Sequence, residues 1–523
     1  MQIQAIPITS TTSFSKLISD YLSDSEGLKA FHNGIPSLER LIDQSDNREF
    51  SSDKREVLSL ALKSQYDGFS DAEGVLMNIE ALKNESAYTV TTGHQLCLYA
   101  GPMFSILKII SVINICHQLS KNDPSKTFVP VFWMASEDHD LEEINHVFLR
   151  GEKMSWNTGE LGAVGRMSTN GMNDVIDELK SGFSEDFLAK VETLINVYHS
   201  DNIAIASRNF LHQLFGKHGL VIIDGDDSQL KKLFVPTILK EVQHSLAFEQ
   251  VISQNRCLEK LGYKTQVNAP QTFLFKLLDG SRIRLDRVED SFLLADGSQK
   301  WSSDELLADI EANPHSWSPN VVGRALYQEV VLPNLGYVGG PSELAYWLQL
   351  NSLFDAAGVQ FPSLILRNSA TFMFPGIVKK MNSLKMDFQE VFKSEDVLVS
   401  SQVQDQVPSL DVERRDLLRL YHNLAKKLVG LDNGLVKSTD AEKTKALKGL
   451  ENLESKSIRA AKRKNEELIF KVKSILKSIR PNGIPQERQL NILEVMSVFG
   501  VEIIDDLIPV LDPFEENMWI VTL

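Results

Sequence analysis

The 523-residue chain is predicted to be an α/β protein with a doubly wound parallel sheet, inserted connecting subdomains and a C-terminal antiparallel coiled coil. Three observations predict it. A strand, turn, helix and strand follow one another from Tyr88 to Met134, with a crossover long enough for a right-handed parallel unit. The polar clusters Gly93-His94-Gln95 and Ser136-Glu-Asp-His-Asp140 both fall at the carboxyl ends of apolar strands, where open parallel sheets bind ligands. Beyond about Lys379, leucines at three- and four-residue spacings with dense Lys, Arg and Glu between them replace the buried-strand pattern.

Taken in order, residues 1 to about 86 carry Leu, Ile and Phe at helical spacings and are expected to form a helical layer leading into the sheet. Tyr88 to Thr92, β-branched and aromatic, is the first strand, and Gly93 allows the sharp turn that follows. From Pro102 to Leu119 a helix is apolar nearly all round, which predicts burial between the sheet and a second layer. Phe128 to Met134 is the second strand, with Pro130 pointing to an edge or a break in pairing. Gly151 to about Ser200 lacks a firm period and is taken as an inserted subdomain.

Gly219-Leu-Val-Ile-Ile-Asp224 is a third strand, again polar at its carboxyl end, and Ser228 to Glu241 continues as a helix. Residues 263–301 contain the turn pairs Asp279-Gly280 and Asp296-Gly297, which predict antiparallel hairpins in a second insertion. After Gly336 to Ser342 a helix begins with Ser342 as its expected cap, and Ser363 to Arg367 is a late strand. Two helices folding back on each other are expected near Asp432-Asn-Gly434, the second ending before Pro481. The domain reading is therefore a core over 1–380 with insertions at about 150–200 and 255–320, a coiled coil over 381–482, and a segment over 483–523 that docks back on the core.

Composition bounds the function. The 43% hydrophobic and 24% charged content is that of a globular protein. A formal net charge of −16 argues against nucleic acid and anionic membranes as partners and favours a small molecule or a protein. Cys97, Cys116 and Cys257 form no disulfide framework or Cys-x-x-Cys pair, and no secretory signal or bilayer-long apolar run is evident. A cytoplasmic, reducing location is expected.

The candidate chemistry lies in a few places. Gly93, His94 and Gln95 form a strand-to-helix turn suited to a phosphate, the alternative being a turn glycine and a histidine bonded to backbone. Glu137, Asp138, Asp140, Glu142 and Glu143 crowd one short stretch with His139 among them and Asn145 and His146 just beyond. Some must find cations or take raised pKa values, although helix-dipole stabilisation alone would account for Glu142 and Glu143. The spacing matches no zinc pattern, so no metal is expected. Gly339, Gly340 and Ser342 offer adaptable backbone at a helix start, while Arg324 and Arg367 are suited to carboxylates or to structural pairs. Cys97 reads as core packing rather than a nucleophile. Lys456 to Lys464 reads as the solvated side of the coiled coil.

Taken jointly, Thr92-Gly-His-Gln95, Gly101-Pro102, Pro130-Val-Phe-Trp133, Ser136-Glu-Asp-His-Asp140, Ile144-Asn-His146, Leu332-Pro-Asn334, Gly339-Gly-Pro-Ser-Glu-Leu-Ala-Tyr-Trp347 and Gln486-Glu-Arg-Gln489 resemble the bacillithiol biosynthesis cysteine-adding enzyme family. The resemblance spans nearly the whole chain. It implies a Rossmann-like core similar to class I aminoacyl-tRNA synthetases, a coiled coil used for homodimerisation, and ligation of L-cysteine to the amine of glucosaminyl malate. By that similarity ATP is the expected cosubstrate, with Gly93, His94 and Gln95 facing the nucleotide. Lys153-Met-Ser155 is similar to the start of the synthetases' lysine loop but stands too early in the chain, and the zinc-site cysteines of the related mycothiol ligase have no counterpart.

The resulting assignment has His94, Glu137, Asp138 and His139 in catalysis. Asp140, Asn145, His146, Arg324, Gly339, Gly340, Ser342 and Arg367 are assigned to substrate. Two alternatives stand beside it: a non-catalytic coiled-coil scaffold with a vestigial nucleotide fold, and a nucleotidyltransferase with another acceptor.

Overall fold

The computed structural model describes residues 1–11, 14–404 and 407–523. The chain divides into two compact units: Ile3–Thr371 with Glu487–Trp519, and Phe372–Gln486 with Ile520–Leu523.

The first unit is built on five parallel strands: β1 (Ala87–His94), β2 (Thr127–Met134), β3 (Val221–Asp224), β4 (Asn334–Gly339) and β5 (Ser363–Leu366). Their order across the sheet is β3-β2-β1-β4-β5, the doubly wound arrangement. After β1 the chain moves through β2 to β3, then returns to lay β4 on the other side of β1. The crevice between the carboxyl ends of β1 and β4 is therefore the switch point of the topology. β1 and β2 pair in unbroken register from Ala87 with Thr127 to His94 with Met134, which brings the two polar turns side by side.

Pro130 stands in an interior strand, not at an edge. Pairing of β2 with β3 begins only at Val131, so the proline precedes that ladder. β4 joins β1 with a bulge between Asn334 and Gly336, and the Thr89 and Thr91 hydroxyls both donate to the Asn334 side-chain oxygen, at 3.1 and 2.8 Å.

Helix α1 (Met103–Asn122) packs on β1 and β2 and is the one helix among the described residues whose length and apolarity would suffice to cross a membrane. Its apolar character has another cause here: Ile106 to Ile110 and Val112 to Cys116 are buried on all sides. Helices α2 (Ser228–His244), α3 (Val321–Val331) and α4 (Pro341–Trp347) complete the layers that bear on the site. The N-terminal layer is helical from Lys16 to Ala81, preceded by a strand at Gln2–Pro7 that the sequence periodicity did not reveal.

The region after β2 forms an antiparallel pair, His146–Leu149 with Glu152–Ser155, followed by helices at Met172–Ser181 and Glu185–Ile195. Residues 274–319 form a five-stranded antiparallel sheet, two of whose turns carry Asp279-Gly280 and Asp296-Gly297 with both glycines at positive φ. From the C-terminal segment, the Leu490 carbonyl accepts the Met103 N–H at 2.7 Å, and the Ile508 and Leu511 carbonyls accept the Asn114 and Asn368 amides.

In the second unit, α5 (Asp411–Leu428) and α6 (Asn433–Lys464) pack as a hairpin in which Arg414 meets Glu454 at 2.7 Å. The Asp432 carboxylate caps α6 by accepting the Gly434 N–H at 2.8 Å. The second helix does not run on to Pro481 as its leucine spacing suggested. It stops at Lys464, Asn465 takes a non-helical conformation, and α7 (Glu466–Ile479) starts afresh with Val472, Ile475 and Ile479 buried.

Candidate functional site

A cavity of about 480 Å³ opens at the switch point. It is walled by the turn after β1, the turn after β2, the starts of α1, α3 and α4, the inserted sheet and the C-terminal segment. That volume suits a small-molecule ligand. Gly93, His94, Gln95, Glu137, Asp138, Arg324, Gly340, Ser342 and Arg367 all line it, so the histidine turn and the acidic turn face one space.

One side of the cavity is cationic. Lys108, fully buried in α1, donates to the Gly93 carbonyl at 2.9 Å and meets Glu343 at 2.6 Å. Glu343 also accepts the Tyr337 hydroxyl and the Gly340 N–H, at 2.9 and 2.8 Å. This carboxylate, and not Ser342, closes the first turn of α4, because Gly340 is the cap position. Arg324 donates to Gln328 and Tyr346 and, among the described residues, forms no carboxylate pair. Arg367 is buried and bound to Glu487 at 2.6 Å. The Phe104 ring gathers three charges, with Lys108, Arg367 and Arg488 at 5.7, 5.4 and 5.9 Å from its centroid.

His94 packs edge-on against the same ring at 4.9 Å. Burial, reinforced by the Lys108 charge, lowers its pKa to about 3. The imidazole is therefore neutral at physiological pH. It can donate or accept a hydrogen bond but carries no positive charge there. Lys108 and the arginines supply that charge. Gly93 has little room for a side chain, since a Cβ would lie 3.1 Å from the Trp133 carbonyl and 3.4 Å from Arg324.

The opposite side is acidic. Glu137 is buried with its Oε1 2.8 Å from Lys231, which also meets Asp226 at 2.7 Å. Burial, opposed by Lys231 and assisted by Asp226, raises the Glu137 pKa to about 7. For the adjacent Asp138, burial is outweighed by the Gln95 amide and by Arg282, and its carboxyl is held below the usual range. Arg282 donates to Asp138 at 3.1 Å and to His139 at 3.0 Å, stacks over Phe275, and is anchored by the Ser318 hydroxyl and the Pro319 carbonyl. The inserted sheet thereby contributes a wall of the cavity.

Other sequence candidates lie outside the lining. The Asp140 carboxylate caps the short helix Leu141–Ile144 by accepting the Glu143 N–H at 3.3 Å. His139 is half exposed behind Asp138, Asn145 and His146 lead into the antiparallel pair, and Gly339 ends β4 beneath Glu343 and Tyr337. The Cys97 thiol is buried and its pKa is pushed up to about 12, as befits a packing residue. Among the described residues, no three His, Cys, Asp or Glu side chains group as metal ligands.

Lys108, Arg282, Glu343, Tyr346 and Arg488 also line the cavity and were not singled out from sequence as site residues. A lysine within an apolar helix was the available signal for Lys108. Nothing local marked Arg282, whose role depends on how an insertion folds.

Comparison with known proteins covers nearly the whole chain. Residues 1–368 match the family model "Bacillithiol biosynthesis BshC, N-terminal Rossmann-like domain", and residues 370–523 match "Bacillithiol biosynthesis BshC, C-terminal coiled-coil domain". A Flavobacterium psychrophilum protein named "Putative cysteine ligase BshC" is 36% identical over 518 residues, covering 97% of each chain. A protein of the same name from Cytophaga hutchinsonii is 36% identical over 526 residues, covering 99% of this chain and 98% of its own. One from Bacillus anthracis is 29% identical over 474 residues, covering 85% and 86%.

Proposed function

The chain belongs to the BshC family of bacillithiol biosynthesis, and from that premise we propose that it is a cysteine ligase joining the carboxyl of L-cysteine to the amine of glucosaminyl malate. The observation that carries this reading is one cavity at the sheet's switch point with a cationic wall and an acidic wall. A ligase of this kind must hold anionic groups and a nucleophilic nitrogen close together, and the two walls answer those needs separately.

On the cationic side, Arg324 and Arg488 have no carboxylate partner among the described residues and are free to pair with malate carboxylates or phosphate. ATP is the proposed cosubstrate, and the chemistry it supplies is activation of the cysteine carboxyl. Gly93, His94 and Gln95, backed by Lys108, would lie along it, with neutral His94 giving a hydrogen bond. Across the cavity, Asp138, ionised and fixed by Gln95 and Arg282, would hold an ammonium group. We place the protein in the cytoplasm as a homodimer joined through the helical hairpin.

Mass spectrometry of the purified protein incubated with cysteine, glucosaminyl malate and ATP tests this reading. The expected result is the cysteinyl amide together with AMP. A nucleotide-bearing acceptor without amide would instead make the protein a nucleotidyltransferase. Unchanged reactants would leave the scaffold reading.

A further inference from the structure

Glu137 and Asp138 are neighbours in sequence, yet the fold gives them opposite surroundings. Asp138 accepts the Gln95 amide, the His139 N–H at 2.8 Å and Arg282 at 3.1 Å, so its oxygens are occupied by donors that favour the ionised form. Glu137 has one close cation among the described residues, the Lys231 ammonium on α2, and among them its Oε1 has no other partner. Behind that contact lies a chain of charges leading away from the cavity. Lys231 meets Asp226, and Asp226 receives the Arg166 guanidinium through two hydrogen bonds, at 2.6 and 2.8 Å. Lys231 is nearly fully buried, whereas Arg166 is half exposed. Two adjacent carboxylates driven apart in this way are suited to different tasks.

Resting on the ligase reading above, we propose that Glu137 is the general base that takes the proton from the attacking amine, and that Lys231, set between Glu137 and Asp226, is the positioning residue that holds it ionised and in place. In the step assigned to it, the amine nitrogen's lone pair forms the C–N bond to the activated cysteine carboxyl carbon. The C–O bond to the leaving phosphate group breaks, and its electron pair departs on oxygen. The proton displaced from nitrogen passes to the Glu137 carboxylate. The activating co-reactant is a nucleoside triphosphate, which leaves as monophosphate and pyrophosphate.

The groups that act on Glu137 come from five directions: Lys231 on α2, Asp226 after β3, Arg282 in the inserted sheet, Arg166 in the first insertion and Tyr327 on α3. Lys231 favours the ionised carboxylate and Asp226 disfavours it. Their removal should therefore move the same titration in opposite directions, which loss of packing alone would not do.

The test is the pH dependence of kcat/KM for amide formation in the full-length protein. In the wild type an acidic limb should centre near pH 7, the value set by burial of Glu137. Lys231→Met should shift that limb up by about one unit, Asp226→Asn should shift it down, and Lys231→Arg should restore it. Glu137→Gln should lower kcat by about a hundredfold or more with little change in KM. A limb belonging to the substrate's own amine would stay in place in every variant, and that outcome would overturn the assignment of the base while leaving the ligase reading intact. Absence of amide from the wild type at every pH would overturn both. Should Lys231→Met fail to fold, the downward shift in Asp226→Asn, or its absence, still decides the matter.

Discussion

Lys108 sits in a helix that is apolar nearly all round, and its ammonium is held by the Gly93 carbonyl and Glu343. Burial pushes the Glu343 carboxyl up, but the Lys108 charge, with hydrogen bonds from Lys108 and the Gly340 N–H, overrides it and holds the pKa at about 2. A carboxyl whose folded value lies below its unfolded one contributes stability that is complete above the unfolded value and is lost as pH falls through the folded one. The urea-unfolding free energies of the wild type and Glu343→Gln should therefore differ by roughly 3 kcal/mol at neutral pH. That gap should begin to close below pH 4.5 and have largely disappeared near pH 2. A gap independent of pH would show that the ion pair is not its source. Sequence exposed the donors and acids on turns, His94, Glu137 and Asp138, because unusual residues at strand ends stand out. Lys108 and Glu343 were less legible because their meaning is a pairing between positions 108 and 343, and no local pattern contains that.

The turn between β1 and α1 shows the same division at the level of an element. Pro102 was legible in the sequence as the start of a helix. The conformation before it was not: Tyr99, Ala100 and Gly101 are three consecutive residues at positive φ, and a Cβ on Gly101 would lie 2.5 Å from that of Cys97. Tyr99 and Ala100 bear a conformational cost there, and Asn491 of the C-terminal segment offsets it. Its amide donates to the Tyr99 and Gly101 carbonyls at 3.1 and 2.9 Å, while its oxygen accepts the Leu493 N–H at 2.9 Å. Asn491→Ala leaves two buried carbonyls without that donor and should cost about 1–3 kcal/mol in urea unfolding monitored by circular dichroism. Because the turn launches the helix that bears Phe104 and Lys108, amide formation should fall as well, whereas an exposed substitution such as Lys190→Ala should change neither. Helix boundaries were only partly legible in sequence. The Gly340 cap was missed although Glu343 closes it within one turn, because a glycine offers no side chain to mark a cap, whereas the Asp432 carboxylate was legible.

At the scale of the whole molecule, strand type and the parallel crossover followed from apolar runs ended by polar turns. The order β3-β2-β1-β4-β5 did not, since more than a hundred residues and an antiparallel sheet separate β3 from β4. The C-terminal helices present a further problem of scale. α5 has no buried residue, and Leu418, Leu420 and Leu424 are 42%, 55% and 38% exposed, with Leu431 beyond it at 76%. Leucines repeating at helical spacing on an amphipathic helix lose free energy when left in water, by roughly 25 cal/mol per Å² of apolar area. Association of two copies through this surface would remove that cost. Sedimentation equilibrium should accordingly give a mass near twice the 58.7 kDa of the chain. The double substitution Leu420→Glu with Leu424→Glu should return it to the monomer value, because carboxylates on this surface would have to be desolvated without partners. The cavity and its sheet belong to the other unit, so the thermal transition followed by near-ultraviolet dichroism of the buried Trp133 and Trp347 should persist in that variant. A wild-type mass equal to one chain at micromolar concentration would rule this association out.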